Sequence, residues 1–236
     1  FRTVQKGRNV SIFGTVLSSF DMRKLLSFCT FVLSLFCVLH TPQNADAQLG
    51  RQERLGLLDD EERDRLIRGR IVLRPSKGAL GRSRYCSGTS YQRIKAPPRV
   101  VWAALLDTPQ YTQMLPELSQ AQVLRQGSTS RTVFMRHGRG PLDVRYNLVL
   151  NYTAGSRTLR FRIDPRTSGS IRRGRGHFTI LPYVEDQSIV VFDVQADIGG
   201  GLLQSLFLPQ IHDGLLRVPQ NVKQYIEGEG RSRYSS

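Results

Sequence analysis

Between Ala121 and Ile198 the chain alternates apolar and polar side chains with a period of two, in six stretches separated by turn-forming residues. The stretches are 121–125, 131–137, 142–152, 158–164, 172–182 and 188–198. Gly127-Ser128, Gly138 to Pro141, Ala154-Gly155-Ser156, Pro165 to Ser170 and Glu185-Asp186 lie between them. Period two marks half-buried strands, and connections this short join only antiparallel neighbours. The segment predicts an antiparallel meander, one face of which needs a cover. After Gly199-Gly200-Gly201 the period becomes helical, and Leu203, Phe207, Ile211, Leu215, Val218, Val222, Tyr225 and Ile226 can share one face. That helix supplies the cover. Pro209 and Pro219 interrupt it, and an interior proline costs about 3 kcal/mol unless packing compensates, so a kinked or segmented helix is expected.

Upstream, APPRVVWAALLDTPQYTQMLPEL (residues 96–118) holds two short helices, each opened by proline, where a missing N–H costs nothing. Val101, Trp102, Leu105 and Leu106 form an apolar stripe on the first; Tyr111, Met114, Leu115 and Leu118 form the inner side of the second. A strand at about 85–95 precedes them. Further upstream, Leu58 to Ile67 reads as a short helix capped by Asp59 or Asp60, Ile71 to Leu73 as a brief strand, and Lys77 to Gly88 as a flexible connection. The order predicts an α+β helix-grip fold: a curved antiparallel sheet of about seven strands wrapped around a long C-terminal helix, with two short helices after the first strand. Such an arrangement leaves room for a hydrophobic tunnel between helix and sheet.

These stretches resemble the START/Bet v 1-like superfamily, also called SRPBCC or the polyketide cyclase/dehydrase and lipid transport group, and its exported bacterial members above all. The resemblance rests on IKAPPRVVWAALLDTPQYTQMLPEL, where an aliphatic strand enters Ala-Pro, then Val-Trp, Asp, Tyr and Leu-Pro. It rests equally on FDVQADIGGGLLQSLFLPQIHDGLLRVPQNVKQYIE, a last strand, glycine-rich turn and C-terminal helix with its proline. LLDDEERDRLIRGRIVLR is similar to the segment that precedes the domain in bacterial members, so the resemblance spans about residues 57–227. It implies a pocket for a hydrophobic ligand but no single activity, because the superfamily includes carriers, quinone-binding chaperones, cyclases and hydratases. The ligand expected is a hydrophobic small molecule or lipid between sheet and C-terminal helix. Its expected lining is Trp102, Leu105, Tyr111, Met114, Leu115, Phe134, Val144, Tyr146, Leu148, Phe161, Phe178, Phe207, Ile211 and Leu215. Leu142 and Leu150 share the face of Val144, Tyr146 and Leu148, while Arg145, Asn147, Asn151, Arg160, Arg162 and Asp193 should face outward.

Catalytic motifs are sparse. No His or Cys pair has metal-ligand spacing, no GxSxG occurs, and Cys86 has no cysteine partner once the N-terminal segment is removed, so neither metal nor cofactor is expected. Polar residues that could serve acid–base chemistry are His137, Tyr146, His177, Asp193 and Arg160. An enzyme of the cyclase or hydratase type is the alternative to a carrier, and it requires His137, Tyr146 or His177 to point into the cavity.

Met22-Arg23-Lys24, the 15-residue largely apolar run Leu25 to Leu39 and Ala45-Asp46-Ala47 form the three parts of a cleavable export signal, the run being too short for a spanning helix of about 20 residues. Cleavage after Ala47 and a periplasmic or secreted location are expected. The organisation is then an upstream segment 1–21, a signal peptide 22–47, an extension with a short helix and strand 48–81, a helix-grip domain 82–228 and a tail 229–236. Removing residues 1–47 takes five of 34 Lys/Arg and two of 19 Asp/Glu, so the remainder keeps a net charge of +12. Basic clusters lacking interleaved aromatics argue against nucleic acid. Arg166, Arg172, Arg173 and Arg175 fit instead an anionic surface such as lipid headgroups, which makes an interaction module at an anionic membrane the third expectation.

Overall fold

The computed structural model describes residues 56, 58–80, 83–138, 143–153, 155–167, 171, 173–184, 186–197 and 202–234, without the side chains of 77–80, 83–84 and 202–208. All lie within the compact unit Ala47–Ser236. Eight strands form one sheet: β1 Val72–Leu80, β2 Ser83–Ile94, β3 Leu118–Gln126, β4 Ser130–His137, β5 Val144–Tyr152, β6 Thr158–Ile163, β7 Arg173–Tyr183 and β8 Gln187–Asp197. The spatial order is β1-β2-β8-β7-β6-β5-β4-β3, antiparallel throughout. Helix α2 (Pro98–Leu106), a 3₁₀ turn (Thr108–Gln110) and α3 (Tyr111–Met114) carry the chain from β2 to β3 at the far edge, and the meander then returns β8 to the side of β2.

The sheet has one strand more than expected, because Lys77 to Leu80 and Ser83 to Gly88 are paired rather than looped. Register runs from Val72↔Tyr91 to Leu80↔Ser83. Pro75 is tolerated because β1 is an edge strand. Gly88 is required by close approach: a Cβ there would stand 2.5 Å from the Arg74 carbonyl and 3.1 Å from Leu216 Cδ2.

The inner face carries the main core. Ile94, Val133, Leu150, Leu159, Ile180 and Val190 from the sheet meet Val101 and Ala104 of α2 and Val222 and Ile226 of the C-terminal helix. That helix is segmented, α4 (Leu202–Leu216) and α5 (Val218–Glu227), with Arg217 between them. Pro219 sits in the first turn of α5, where it costs no hydrogen bond, and Pro209 lies inside α4 without ending it. Polar ties fix the helices to the sheet. His212 of α4 donates from Nε2 to the Ser87 carbonyl at 2.8 Å, and the Lys95 N–H donates to Glu227 Oε1 at 2.7 Å. Residues beyond 228 join the domain as well, since Arg233 and Tyr234 both donate to Asp107 at the end of α2.

The outer face has its own cover. Helix α1 (Asp60–Ile67) places Leu66, with Leu58 ahead of it, against Val72, Tyr91, Leu181, Ile189 and Val191. This explains why Ile189, Val190, Val191 and Phe192, pointing alternately to both faces, are all at most 3% exposed. A capping box opens α1: Glu62 N–H donates to Asp59 Oδ1 at 2.8 Å, and Asp59 N–H returns to Glu62 Oε2 at 3.0 Å. The same Glu62 carboxylate pairs with Arg74 of β1, whose hydrogen bonds hold its pKa below the usual range. The cap is worth about 1 kcal/mol and each buried leucine about 1.5–3 kcal/mol, so packing rather than capping holds α1 on the sheet. Leu66→Ala is expected to lower the free energy of unfolding by about 2–4 kcal/mol in denaturant titration. Ile67→Ala, one residue on and 55% exposed, should stay within about 0.5 kcal/mol.

Candidate functional site

Strands β4, β5 and β6 shape the inner face into a closed end and an open end. Val133 and Met135 of β4 are buried, and β4 ends at half-buried His137. In β5, Leu150 is buried, whereas Leu148, Tyr146 and Val144 on the same face are partly exposed. In β6, Leu159 is buried and Phe161 and Ile163 are partly exposed. The register places His137 opposite Val144 and Leu148 opposite Ile163, so these partly exposed positions gather at one end of the sheet, although Tyr152 at the other end of β5 is half-buried as well. There the floor is aromatic. Phe161 lies 5.8 Å from both Phe178 and Phe192, which are 4.5 Å apart. Gly176 makes room for it, because a Cβ would stand 2.4 Å from the Phe161 ring.

One polar pair interrupts this surface. His137 Nε2 and the Tyr146 hydroxyl are 2.7 Å apart, and their rings stack at 5.5 Å and 14°. Met135↔Tyr146 and His137↔Val144 pairing makes the two side chains diagonal neighbours on one face. Burial depresses the imidazole to about 4 and raises the phenol, so at neutral pH both are uncharged. With its proton on Nδ1, the imidazole accepts the Tyr146 O–H. The arrangement can hold a ligand oxygen or, with a neutral imidazole as base, receive a proton.

The structure distributes the remaining expected residues as follows. Leu105, Tyr111, Met114 and Phe178 sit inside the main core; Trp102, Leu115 and Leu215 pack against it and remain partly exposed. Tyr111 is further held by its O–H to the Leu105 carbonyl, 2.5 Å. Phe134 does not share this face: Val133 and Met135 on either side of it point inward, so alternation turns Phe134 outward. Ile211 is 38% exposed, beside buried His212, and does not line the interior. The Phe207 side chain, Leu142 and Arg172 lie outside the described residues. His177 belongs to the outer face, 3.1 Å from Asp193 Oδ2. Arg166 is neutralised by a two-pronged pair with Asp164, both contacts at 3.0 Å, leaving Arg173 and Arg175 of the expected basic cluster on β7.

Sequence reasoning named His137 and Tyr146 singly and missed the pairing. The signal is in β4, where Val133-Phe134-Met135 is apolar at three successive positions, so alternation alone cannot say which face is inner. Only the cross-strand register settles it. Among the described residues, no three His, Cys, Asp or Glu side chains come together as a metal site, and no helix is long and apolar enough to cross a membrane.

Residues 85–222 match the family model described as polyketide cyclase / dehydrase and lipid transport. The chain belongs to this family. No curated protein matches its sequence. Among solved structures it is similar to TTHA0849 of Thermus thermophilus, at 16% identity and a TM-score of 0.54 over 63% of this chain and 98% of that one. It is also similar to a STAR-related lipid transfer protein of Xanthomonas axonopodis, with 18% identity, TM-score 0.47, 66% of this chain and 98% of that one. The aromatase/cyclase Zhui of Streptomyces sp. R1128 matches at 12% identity and TM-score 0.47, over 63% and 98%. Family and topology agree: the chain is a member of the polyketide cyclase / dehydrase and lipid transport family, built on the expected α+β helix-grip scaffold.

The His137 environment has a measurable consequence. Below about pH 6.5 an unfolded histidine takes up a proton that the folded site refuses until about pH 4, so stability falls through that interval as pH drops and is complete above it. Denaturant titrations at pH 7 and pH 4.5 should show the loss. His137→Gln should flatten the slope by up to roughly 1.4 kcal/mol per pH unit.

Proposed function

We propose that the protein is an exported binding or carrier protein for a hydrophobic small molecule or lipid, held between the inner face of the sheet and the C-terminal helices. The observation that carries this reading is the open end of the inner face. There Tyr146, Leu148 and Phe161 remain partly exposed while Leu150 and Leu159, deeper on the same strands, are buried. Apolar side chains exposed at one end of a concave face are what a ligand would cover, with a gain of about 25 cal/mol per Å² of apolar surface removed from water. The export signal read from Met22 to Ala47 supports action outside the cytoplasm.

The position of His137 and Tyr146 favours a second reading, a cyclase- or hydratase-type enzyme, since the pair lies on the inner face as such chemistry requires. Once the phenol O–H turns from Nε2 to the developing oxygen, the freed lone pair of the neutral imidazole would take a proton from an activated carbon. The two readings part at Tyr146→Phe. A carrier should lose about two- to tenfold in affinity, the worth of one hydrogen bond, and nothing else. An enzyme would keep binding and lose turnover.

Native mass spectrometry of the purified protein and titration with a neutral apolar fluorophore such as N-phenyl-1-naphthylamine test the carrier reading. Leu148→Asp, on the inner face, should weaken fluorophore binding by at least about tenfold, whereas Asn147→Asp, on the opposite face, should leave it unchanged. Absence of both a co-purifying apolar molecule and fluorophore binding by the native protein would exclude the reading.

A further inference from the structure

The outer face of the sheet beyond the reach of α1 is not a plain solvated surface. A groove of about 620 Å³ crosses strands β2, β8, β7, β6 and β5 there, and its polar lining includes Asn151, Arg160, Arg162, Arg175, His177 and Asp193. Alternation fixes the side. Leu159, Phe161, Phe178, Phe192 and Val194 of the same strands belong to the inner core, so the residues between them point the other way.

The charges in this groove are unbalanced in a specific manner. Register sets Arg162 directly opposite Arg175, and Arg160 directly opposite His177. Like charges facing each other across a ladder are destabilising. Several arginines elsewhere have carboxylate partners: Arg74 has Glu62, Arg136 and Arg145 share Asp143, Arg166 has Asp164 and Arg217 has Asp213. Arg160 and Arg162 have no hydrogen bond or ion pair among the described residues, and Arg175 has only the neutral Gln195 amide, 3.2 Å away. The single carboxylate in the groove, Asp193, is engaged by the Thr89 hydroxyl at 2.5 Å and by His177 at 3.1 Å. Three exposed guanidinium groups thus face an open groove whose lining holds one carboxylate, Asp193, so its charged side chains are three cations to one anion.

We propose that this groove is a binding site for a phosphate-type oxyanion, separate from the inner face. Arg160, Arg162 and Arg175 supply charge-assisted donors from adjacent strands, a spacing that lets several oxygens of one group be bound at once. Asn151 adds a neutral donor at one end. Asp193 opposes an anion, but the Thr89 hydroxyl and His177 engage its two oxygens, and three guanidinium groups outnumber it. The same chemistry is presented by free inorganic phosphate and by the phosphodiester of an anionic lipid headgroup. The site would therefore anchor the protein to an anionic bilayer or hold a soluble phosphate compound, and the two are separable.

The test uses the full chain at low ionic strength. Inorganic phosphate is titrated by calorimetry, and flotation is measured with phosphatidylcholine vesicles with or without phosphatidylglycerol. Native protein is expected to bind at least one probe. The triple variant Arg160→Gln, Arg162→Gln, Arg175→Gln is expected to lose about tenfold or more of that affinity, while Arg99→Gln and Arg125→Gln, exposed elsewhere, lose none. Binding only to phosphatidylglycerol vesicles identifies a membrane headgroup as the source; binding of phosphate that competes the vesicles off identifies the shared site. Because removing facing like charges relieves repulsion, the triple variant should unfold at the native temperature or above it, which a structural role for these arginines would not produce. Failure of native protein to bind either probe, or retention of binding by the triple variant, overturns the proposal.

Discussion

Strand alternation is the constraint on which everything else in this protein depends. A sheet whose side chains point alternately to two faces needs two solutions to the problem of apolar surface, and β8 shows both at once. Val190 and Phe192 are buried under the C-terminal helices, while Ile189 and Val191 are buried under α1. Neither cover extends the length of the sheet. Where the inner cover ends, apolar side chains and one His–Tyr pair are left accessible; where the outer cover ends, the strands turn basic.

The two faces therefore carry opposite chemistry on shared strands. Phe161 forms the inner aromatic floor, and its chain neighbours Arg160 and Arg162 line the outer groove. Gly176 lets Phe161 lie flat against β7, between outward Arg175 and His177. An apolar ligand on one side and an oxyanion on the other would be separated by a single thickness of sheet. That arrangement suits a protein that receives apolar cargo at a charged surface, without requiring the two sites to communicate.

Much of the fold was legible because its signals were local. Period-two runs gave six of eight strands, prolines at 98 and 109 marked the starts of the short helices, and Pro219 marked the break between α4 and α5. Strands at 71–73 and 85–95 were legible, but their extension into the β1–β2 hairpin was not, since Pro75, Gly78 and Gly88 read as breakers. Their tolerance comes from an edge position and from the close approach of Leu216, both tertiary facts. The site was legible in part for the same reason. Alternation correctly put Tyr146, Leu148 and Phe161 on the inner face, but misplaced Phe134 because Val133-Phe134-Met135 gives no phase. The His137–Tyr146 pair exists only through cross-strand register, which no single strand encodes.

The central claim is that the open end of the inner face holds an apolar molecule, and the most direct measurement is the position of such a molecule once bound. Intermolecular nuclear Overhauser effects from a neutral apolar probe to the methyl groups of Met135 and Leu148 and the ring of Phe161 are the predicted result. Effects confined to exposed Ile67, Val123 or Val184, with none to Met135, Leu148 or Phe161, would contradict it.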